Sequence, residues 1–370
     1  FSFFTWLFNK LRIQGSSHCE EYKIEDNNKK SLSLLNEKIP DGIETNIKDY
    51  IASSRGSNYV DLFRNYYYLT AYNCCSGRNY KNNWVNECAL TKALRLGARC
   101  LDFEIYSLNN EPIISTSTSD DNTVKETYNY IPFDTAMKII KEDSYSKLNN
   151  DRGPIILLFR IKSLNNIIYD KMGTILYKMF YNKELNKSHL LSYEFNYKFI
   201  KENTVKLYTT ELIKLKNKII IAVYSDLNNF SETNLSYVTN MKVEKEDGNK
   251  KTKAIIYRYD DLISKGRSNQ QLINDSRNNF IFVLPSLNNS SKNMDAILPF
   301  SNGCQCIAMK LQFYDNNLAS YYNLFKVINN EKPSPYALKQ PSKRKDKEPT
   351  SNIQPGVQLK EPDIIQYFNQ

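Results

Sequence analysis

The sequence predicts an α/β fold in which parallel strands alternate with helices and close into a (β/α)8 barrel. Three observations carry this expectation. The 370 residues exceed an ordinary domain but suit one large barrel with flanking arms. The strands PIILLF (Pro154–Phe159) and NKIIIAVYS (Asn217–Ser225) are continuously apolar, as strands covered on both faces are. Helical patterns stand between such strands, which is the order a parallel sheet requires. A hydrophobic content of 41% excludes a wholly disordered chain, and no run reaches the ~18 apolar residues that span a bilayer.

Taken in order, residues 1–13 (FSFFTWLFNKLRI) place large apolar side chains before Lys10 and Arg12. That pattern fits a segment meeting a membrane surface, or a hydrophobic arm docked on protein. Residues 14–50 are polar and read as a linker, and 51–341 form the barrel region. A strand at Tyr66–Asn73 precedes a helix at Glu87–Ala98, followed by strands at Arg99–Tyr106 and Pro112–Ser117. A helix at Pro132–Glu142 opens on proline, as first turns often do, and leads into the strand Pro154–Lys162. Helices at Ile167–Glu184, Thr209–Leu215 and Asn269–Asp275 come before or between the strands Asn217–Ser225, Phe280–Ser286 and Gly303–Phe313. Lys251–Lys253 reads as the close of a hairpin-like polar loop. Residues 342–370 lose all periodicity and gain prolines and lysines, as an extended tail does.

The net charge of +10 would suit an anionic surface, but lysine, asparagine, tyrosine and isoleucine are heavy along the whole chain, a bias of codon supply. No glycine-rich phosphate loop occurs, so nucleotide chemistry is unsupported and no nucleic-acid partner is expected. The odd count of 7 cysteines argues against a disulfide framework and for buried free thiols.

The string GARCLDFEIYSLNNEPIISTS (Gly97–Ser117) resembles the X region of phosphoinositide-specific phospholipase C. PFSNGCQCIAMKLQF (Pro299–Phe313) is similar to that family's Y region, and PYALKQP (Pro335–Pro341) to its closing segment. TAYNCCSG (Thr70–Gly77) and ETYN (Glu126–Asn129) are similar to segments of phospholipase C-like proteins encoded by giant DNA viruses. The resemblance implies a TIM-type barrel with its site at the carboxyl ends of the strands.

It also implies two catalytic histidines and a calcium ion, and here the residues depart from the family. The histidine positions match Tyr72 and Thr116, neither of which shuttles protons at neutral pH unaided. Asn73, Asp102 and Glu104 match three calcium ligands, but the fourth, a glutamate, is matched by Arg160, which offers no oxygen. An ion pair from Arg160 to Asp102 or Glu104 is therefore expected in place of the metal, with calcium unlikely as a cofactor. The resemblance implies two lysines, an arginine and a tyrosine that recognise substrate, and these match Ala222, Tyr224, Phe282 and Leu284, none of them charged.

Three functions are carried forward. The first is a non-catalytic barrel serving as a structural or interaction protein, a minor capsid or membrane-apposed component of a virion, with other virion proteins as partners. The second is a lipid-headgroup or membrane-surface binder acting through residues 1–13. The third is a divergent phosphodiesterase using Tyr72, Asp102 or Glu104 as acid and base.

Overall fold

The computed structural model describes residues 60–346, apart from 122, 146–152, 183–186, 200–203, 246–252, 265–268, 289 and 331–333. The apolar segment 1–13, the linker 14–50 and the tail beyond 346 lie outside the described residues. The elements run β1 (Tyr66–Ala71), α1 (Glu87–Arg95), β2 (Cys100–Leu108), β3 (Glu111–Ser115), β4 (Ile131–Pro132), α2 (Phe133–Tyr145) and β5 (Ile155–Ile161). Then come α3 (Asn166–Phe180), β6 (Tyr181–Asn182), β7 (Lys187–Ser188), α4 (Thr204–Thr209), β8 (Ile219–Tyr224), β9 (Met241–Lys245) and β10 (Ala254–Arg258). The chain continues through α5 (Tyr259–Ser264), α6 (Asn269–Asn278), β11 (Phe280–Leu284), α7 (Ile297–Ser301), β12 (Cys306–Met309), α8 (Asn316–Ile328) and β13 (Tyr336–Leu338).

Eight of these strands pair in parallel in the order β1, β2, β5, β8, β9, β10, β11, β12, and β12 pairs again with β1. The circle is closed, so the sheet has no free edge there, and the fold is the TIM-type barrel the sequence predicts. β3 and β4 extend β2 outward as an antiparallel flap. β13 lies antiparallel to the first half of β1, below the point where β2 joins.

Local sequence explains where the helices begin. Asn86, Asn165 and Asp315 each accept a backbone N–H of the following turn, at 2.6, 3.1 and 2.8 Å, and so start α1, α3 and α8. Between β8 and β9 only two 3-10 turns appear, Phe230–Glu232 and Asn234–Tyr237. α3 packs directly on the second through Gly173, where a Cβ would stand 2.4 Å from the Asn234 carbonyl carbon. Only glycine permits that approach.

The strands alternate between two apolar layers. Leu69, Leu101, Leu157, Ile221, Val283 and Ile307 face the helices, while Tyr68, Cys100, Ile156, Ile220, Phe282 and Cys306 fill the barrel. Aromatic rings plug the floor: Phe63 stacks on Phe280 at 4.8 Å and Tyr68 meets Tyr336 edge-on at 5.7 Å. Gln305 ties this floor together, donating to the carbonyls of Arg64, Ser276 and Asn279 and accepting from the N–H of Ile281.

Several expectations need correction. β9 and β10 are not anticipated as strands, although β10 carries the apolar run Ala254–Tyr257, yet they pair in parallel, so Lys253 precedes a barrel strand and closes no hairpin. The expected helix 167–184 ends at Phe180, and the expected helix 209–215 is the end of α4 followed by a 3-10 turn, Leu212–Leu215. Residues 342–346, read as tail, belong to the barrel floor: Asn65 brackets Lys345 with two hydrogen bonds to its backbone, both 2.9 Å. Cys74, Cys75, Cys100, Cys304 and Cys306 are buried thiols as expected. Cys88 is not; half-buried on α1, it stands in a disulfide.

Candidate functional site

The inward positions of β2 are Cys100, Asp102, Glu104 and Tyr106, because alternate residues of a strand share a face. Register sets Glu104 beside Arg160 of β5, and Arg160 beside Tyr224 of β8. β1 ends one level below, and the chain then turns at Asn73 with φ 41°, a left-handed conformation that asparagine tolerates better than most residues. The turn aims both ends of Asn73 at the acids: its N–H donates to Asp102 Oδ2 at 2.9 Å, and its Nδ2 to Glu104 Oε1 at 3.2 Å.

Arg160 occupies the centre of this group, with a side chain only 1% exposed. Its Nε and Nη2 fork onto the two oxygens of Asp102 at 2.7 and 2.8 Å, and Nη1 reaches Glu104 Oε1 at 2.9 Å. Nη2 also donates to Asn73 Oδ1 at 3.0 Å. The other oxygen of Glu104 accepts from the Tyr106 hydroxyl at 2.7 Å and the Ser117 N–H at 2.8 Å. Every oxygen of both carboxylates is thus engaged. Burial works against the charge on Glu104, but Arg160, Lys162 and these hydrogen bonds outweigh it and lower its pKa. The reverse balance holds for Arg160: burial opposes its charge, and Asp102 and Glu104 hold it protonated.

A second charged group closes the barrel above the first. Asp120, from the segment after β3, takes a bidentate hydrogen bond from Arg258 at the end of β10, with Nε to Oδ2 at 2.9 Å and Nη2 to Oδ1. The same carboxylate lies 3.5 Å from Lys162 Nζ and 3.8 Å from Arg160 Nη1. Lys162 also donates to the carbonyls of Ser119 and Asp120 at 2.9 and 2.6 Å. Burial penalises the Asp120 charge, yet Arg258, Arg160 and Lys162 hold its carboxyl well below the usual range.

Tyr72 bridges the two groups. The guanidinium carbons of Arg160 and Arg258 lie 5.1 and 5.8 Å from its ring centre, and its hydroxyl accepts from Arg258 at 3.2 Å. Burial nonetheless raises the phenol's pKa against both arginines. Thr116 points elsewhere and donates to the Tyr80 carbonyl at 2.9 Å. Ala222, Phe282 and Leu284 line the apolar interior below, with Tyr224 packed against it. His189 stands at the opposite end, its Nδ1 2.9 Å from the carbonyl of Asn217 just before β8, and His18 lies outside the described residues.

The structure therefore joins Tyr72, Asn73, Asp102, Glu104 and Arg160, and it leaves Thr116 outside the group. It also adds Asp120, Lys162 and Arg258, which sequence reasoning missed. Lys162 had a signal, since it follows Arg160 by two positions on one strand face. Arg258 had none while β10 went unrecognised, and Asp120 arrives from a segment without periodicity. With these three the charge sum changes. Arg160, Lys162 and Arg258 balance Asp102, Glu104 and Asp120, where the two acids and one arginine alone would leave an excess negative charge.

Calcium, which the resemblance implies, does not suit this arrangement. A calcium ion takes 6–8 oxygens, and here it would find carboxylate oxygens only by displacing the guanidinium between them. Among the described residues no three His, Cys, Asp or Glu side chains form a metal-binding group.

No protein-family model matches the sequence, and no curated protein matches it. Among solved structures, the chain is similar to PLC21 of L. pealei, at 16% identity and a TM-score of 0.59, over 78% of this chain and 39% of that one. It is likewise similar to PLC21 of S. officinalis, at 17% identity and a TM-score of 0.58, over 78% of this chain and 38% of that one. A calcium-dependent phosphoinositol-specific phospholipase C from Pseudomonas sp. is more distant, at 9% identity and a TM-score of 0.47, over 73% of this chain and 96% of that one. The chain spans well under half the length of the two PLC21 proteins, and at such identities the likeness concerns the fold: this is a PLC-like closed barrel.

Proposed function

We propose that the chain is a non-catalytic PLC-like barrel serving as a structural or interaction protein. The observation that carries this reading is the Arg160 fork. It stands where the resemblance places a calcium-binding carboxylate, and it holds both oxygens of Asp102 and one of Glu104. No imidazole approaches the acids among the described residues, because His189 lies at the other end of the barrel. The similarity of TAYNCCSG and ETYN to proteins of giant DNA viruses gives the role its setting. The chain is proposed as a minor capsid or membrane-apposed virion component, made in the host cytoplasm, with other virion proteins as partners. Two measurements test this. Purified full-length protein is expected to leave phosphatidylinositol and glycerophosphodiesters intact with or without calcium, and mass spectrometry of purified virions is expected to find it. Turnover that disappears on Asp102→Asn would establish the divergent phosphodiesterase instead.

A second reading, binding to a lipid surface without hydrolysis, is favoured by one feature of the mouth. Val124, Leu164 and Leu287, on loops that follow β3, β5 and β11, are 73%, 67% and 42% exposed. No helix among the described residues is long and apolar enough to cross a membrane, so contact would be at the surface. Flotation with liposomes separates the readings. Co-flotation lost on Leu164→Ser and Val124→Ser supports the lipid surface, and its absence leaves the interaction protein.

A further inference from the structure

The segment Ser117–Asp121 is placed unlike an ordinary surface loop. It enters the barrel mouth and presents one carboxylate to three cations, Arg160 on β5, Lys162 just after it and Arg258 at the end of β10. Its backbone is held as well: Lys162 donates to two successive carbonyls, and the Ser117 hydroxyl donates to the Ser119 carbonyl at 2.8 Å. Asp120 remains 21% exposed, so it sits at the boundary between the charged group and solvent.

We infer that Asp120 is a built-in anion that keeps the mouth closed to external anions, occupying the cleft between Lys162 and Arg258 that a phosphoryl group would otherwise enter. The deeper acids cannot do this, since their oxygens are already held by Arg160 and by the hydrogen bonds of Asn73, Tyr106 and Ser117. Lys162 and Arg258 have only Asp120 as a directly contacting carboxylate among the described residues. Their remaining donors go to neutral oxygens: the carbonyls of Ser119, Asp120 and Pro285 and the Tyr72 hydroxyl. Withdrawal of the Asp120 charge leaves the six-residue group one positive charge in excess, with a guanidinium fork and an ammonium facing solvent. Such a pair suits the tetrahedral, multiply charged oxygens of a phosphate monoester. This rests on the geometry of the mouth and not on the absence of catalysis, so an active enzyme would leave it standing.

The experiment compares the full chain with Asp120→Asn, which keeps the shape and removes the charge. Calorimetric titration uses inorganic phosphate, and co-sedimentation uses phosphatidylcholine vesicles with and without phosphatidate. The unaltered protein is expected to bind phosphate weakly, the variant at least ~10-fold more tightly, and Asp120→Asn/Arg258→Gln to lose the gain. A gain on phosphate alone assigns a soluble ligand; a gain on phosphatidate vesicles assigns a headgroup. A folded Asp120→Asn that binds neither probe better than the parent overturns the inference. If that variant does not fold, hydrogen exchange of the unaltered protein decides. Amides of residues 117–121 should exchange faster in near-molar phosphate than in chloride of equal ionic strength, and equal rates overturn the inference.

Discussion

Replacing Arg160 with methionine keeps much of the side-chain volume and removes the charge. Four hydrogen bonds vanish, to both oxygens of Asp102, to Glu104 and to Asn73. Lys162 cannot take over, because its ammonium is directed to the carbonyls of Ser119 and Asp120. Two carboxylates are left buried without their main counter-charge, and breaking a buried pair in this way costs about 3–5 kcal/mol. With an unfolding entropy of ~2.1 cal/mol/K per residue, a barrel of this size should lose roughly 5–8 °C in Tm. Differential scanning calorimetry at pH 7 reads this directly, and added salt should change it little because the group is shielded from solvent. The pH dependence has a definite sign. Glu104 titrates below its ordinary 4.5 in the folded barrel, so its stabilising contribution is complete above that value and is lost as pH falls through the lowered one. The gap between parent and variant should therefore narrow below pH 4.5. A variant melting within ~1 °C of the parent at pH 7 would refute the reasoning, since so small a change means an exposed or idle pair. Arg160→Glu supplies a complementary arm. It should gain a calcium-dependent rise in Tm that the parent lacks, and an equal rise in both would show that the guanidinium does not block the carboxylates.

Other sites give independent tests. Lys339 is fully buried under the barrel, donating to the Ser276 carbonyl at 3.0 Å, and burial pushes its pKa down to about 7. The unfolded chain holds that proton up to about pH 10.5, so between pH 7 and 10.5 stability should rise with pH by up to ~1.4 kcal/mol per unit. Lys339→Met should remove this slope in urea titrations, while Gln305 continues to satisfy the Ser276 carbonyl. Gly173→Ala should destabilise by ~1–3 kcal/mol through its clash with the Asn234 backbone, despite alanine's better helix propensity, seen as a lower urea midpoint. Gln305→Leu strips hydrogen bonds from several buried backbone groups and should cost at least ~3 kcal/mol, with faster hydrogen exchange at the Ile281 amide.

The closed barrel is legible in the sequence because β5, β8 and β11 are buried on both faces and so must be continuously apolar. The same logic explains the misses. β9 alternates polar and apolar residues and ends in Lys245, and the apolar run of β10 ends in Arg258 beside a polar, lysine-rich stretch, so the pair reads as one polar loop. The acids of β2 are legible because alternation puts Asp102 and Glu104 on one face. Their distance from Arg160 depends on the register of β2 against β5, which no local pattern encodes. Asp120 is less legible still. Its partner Arg258 is 138 positions away, and the contact exists only because the barrel brings the segment after β3 and the end of β10 to one mouth.

A divalent ion and a guanidinium can pair with the same carboxylates, but they leave different chemistry at the mouth. An ion held by several oxygens keeps positions for an outside ligand and polarises whatever enters them. A guanidinium has donors only, and four of the hydrogen bonds Arg160 makes are directed inward, to Asp102, Glu104 and Asn73. It is also tethered to β5, so it cannot be removed by a chelator or exchanged with solvent. Charge pairing is thereby separated from ligand binding, and any anion entering this barrel would have to deal with Lys162 and Arg258 one level higher. On the inference drawn above, the competitor there is Asp120 and not a metal, so anion affinity should follow the charge at position 120 and ignore chelators. An affinity for phosphate abolished by chelation in the unaltered protein would place the binding cation elsewhere and undo this division between the two levels.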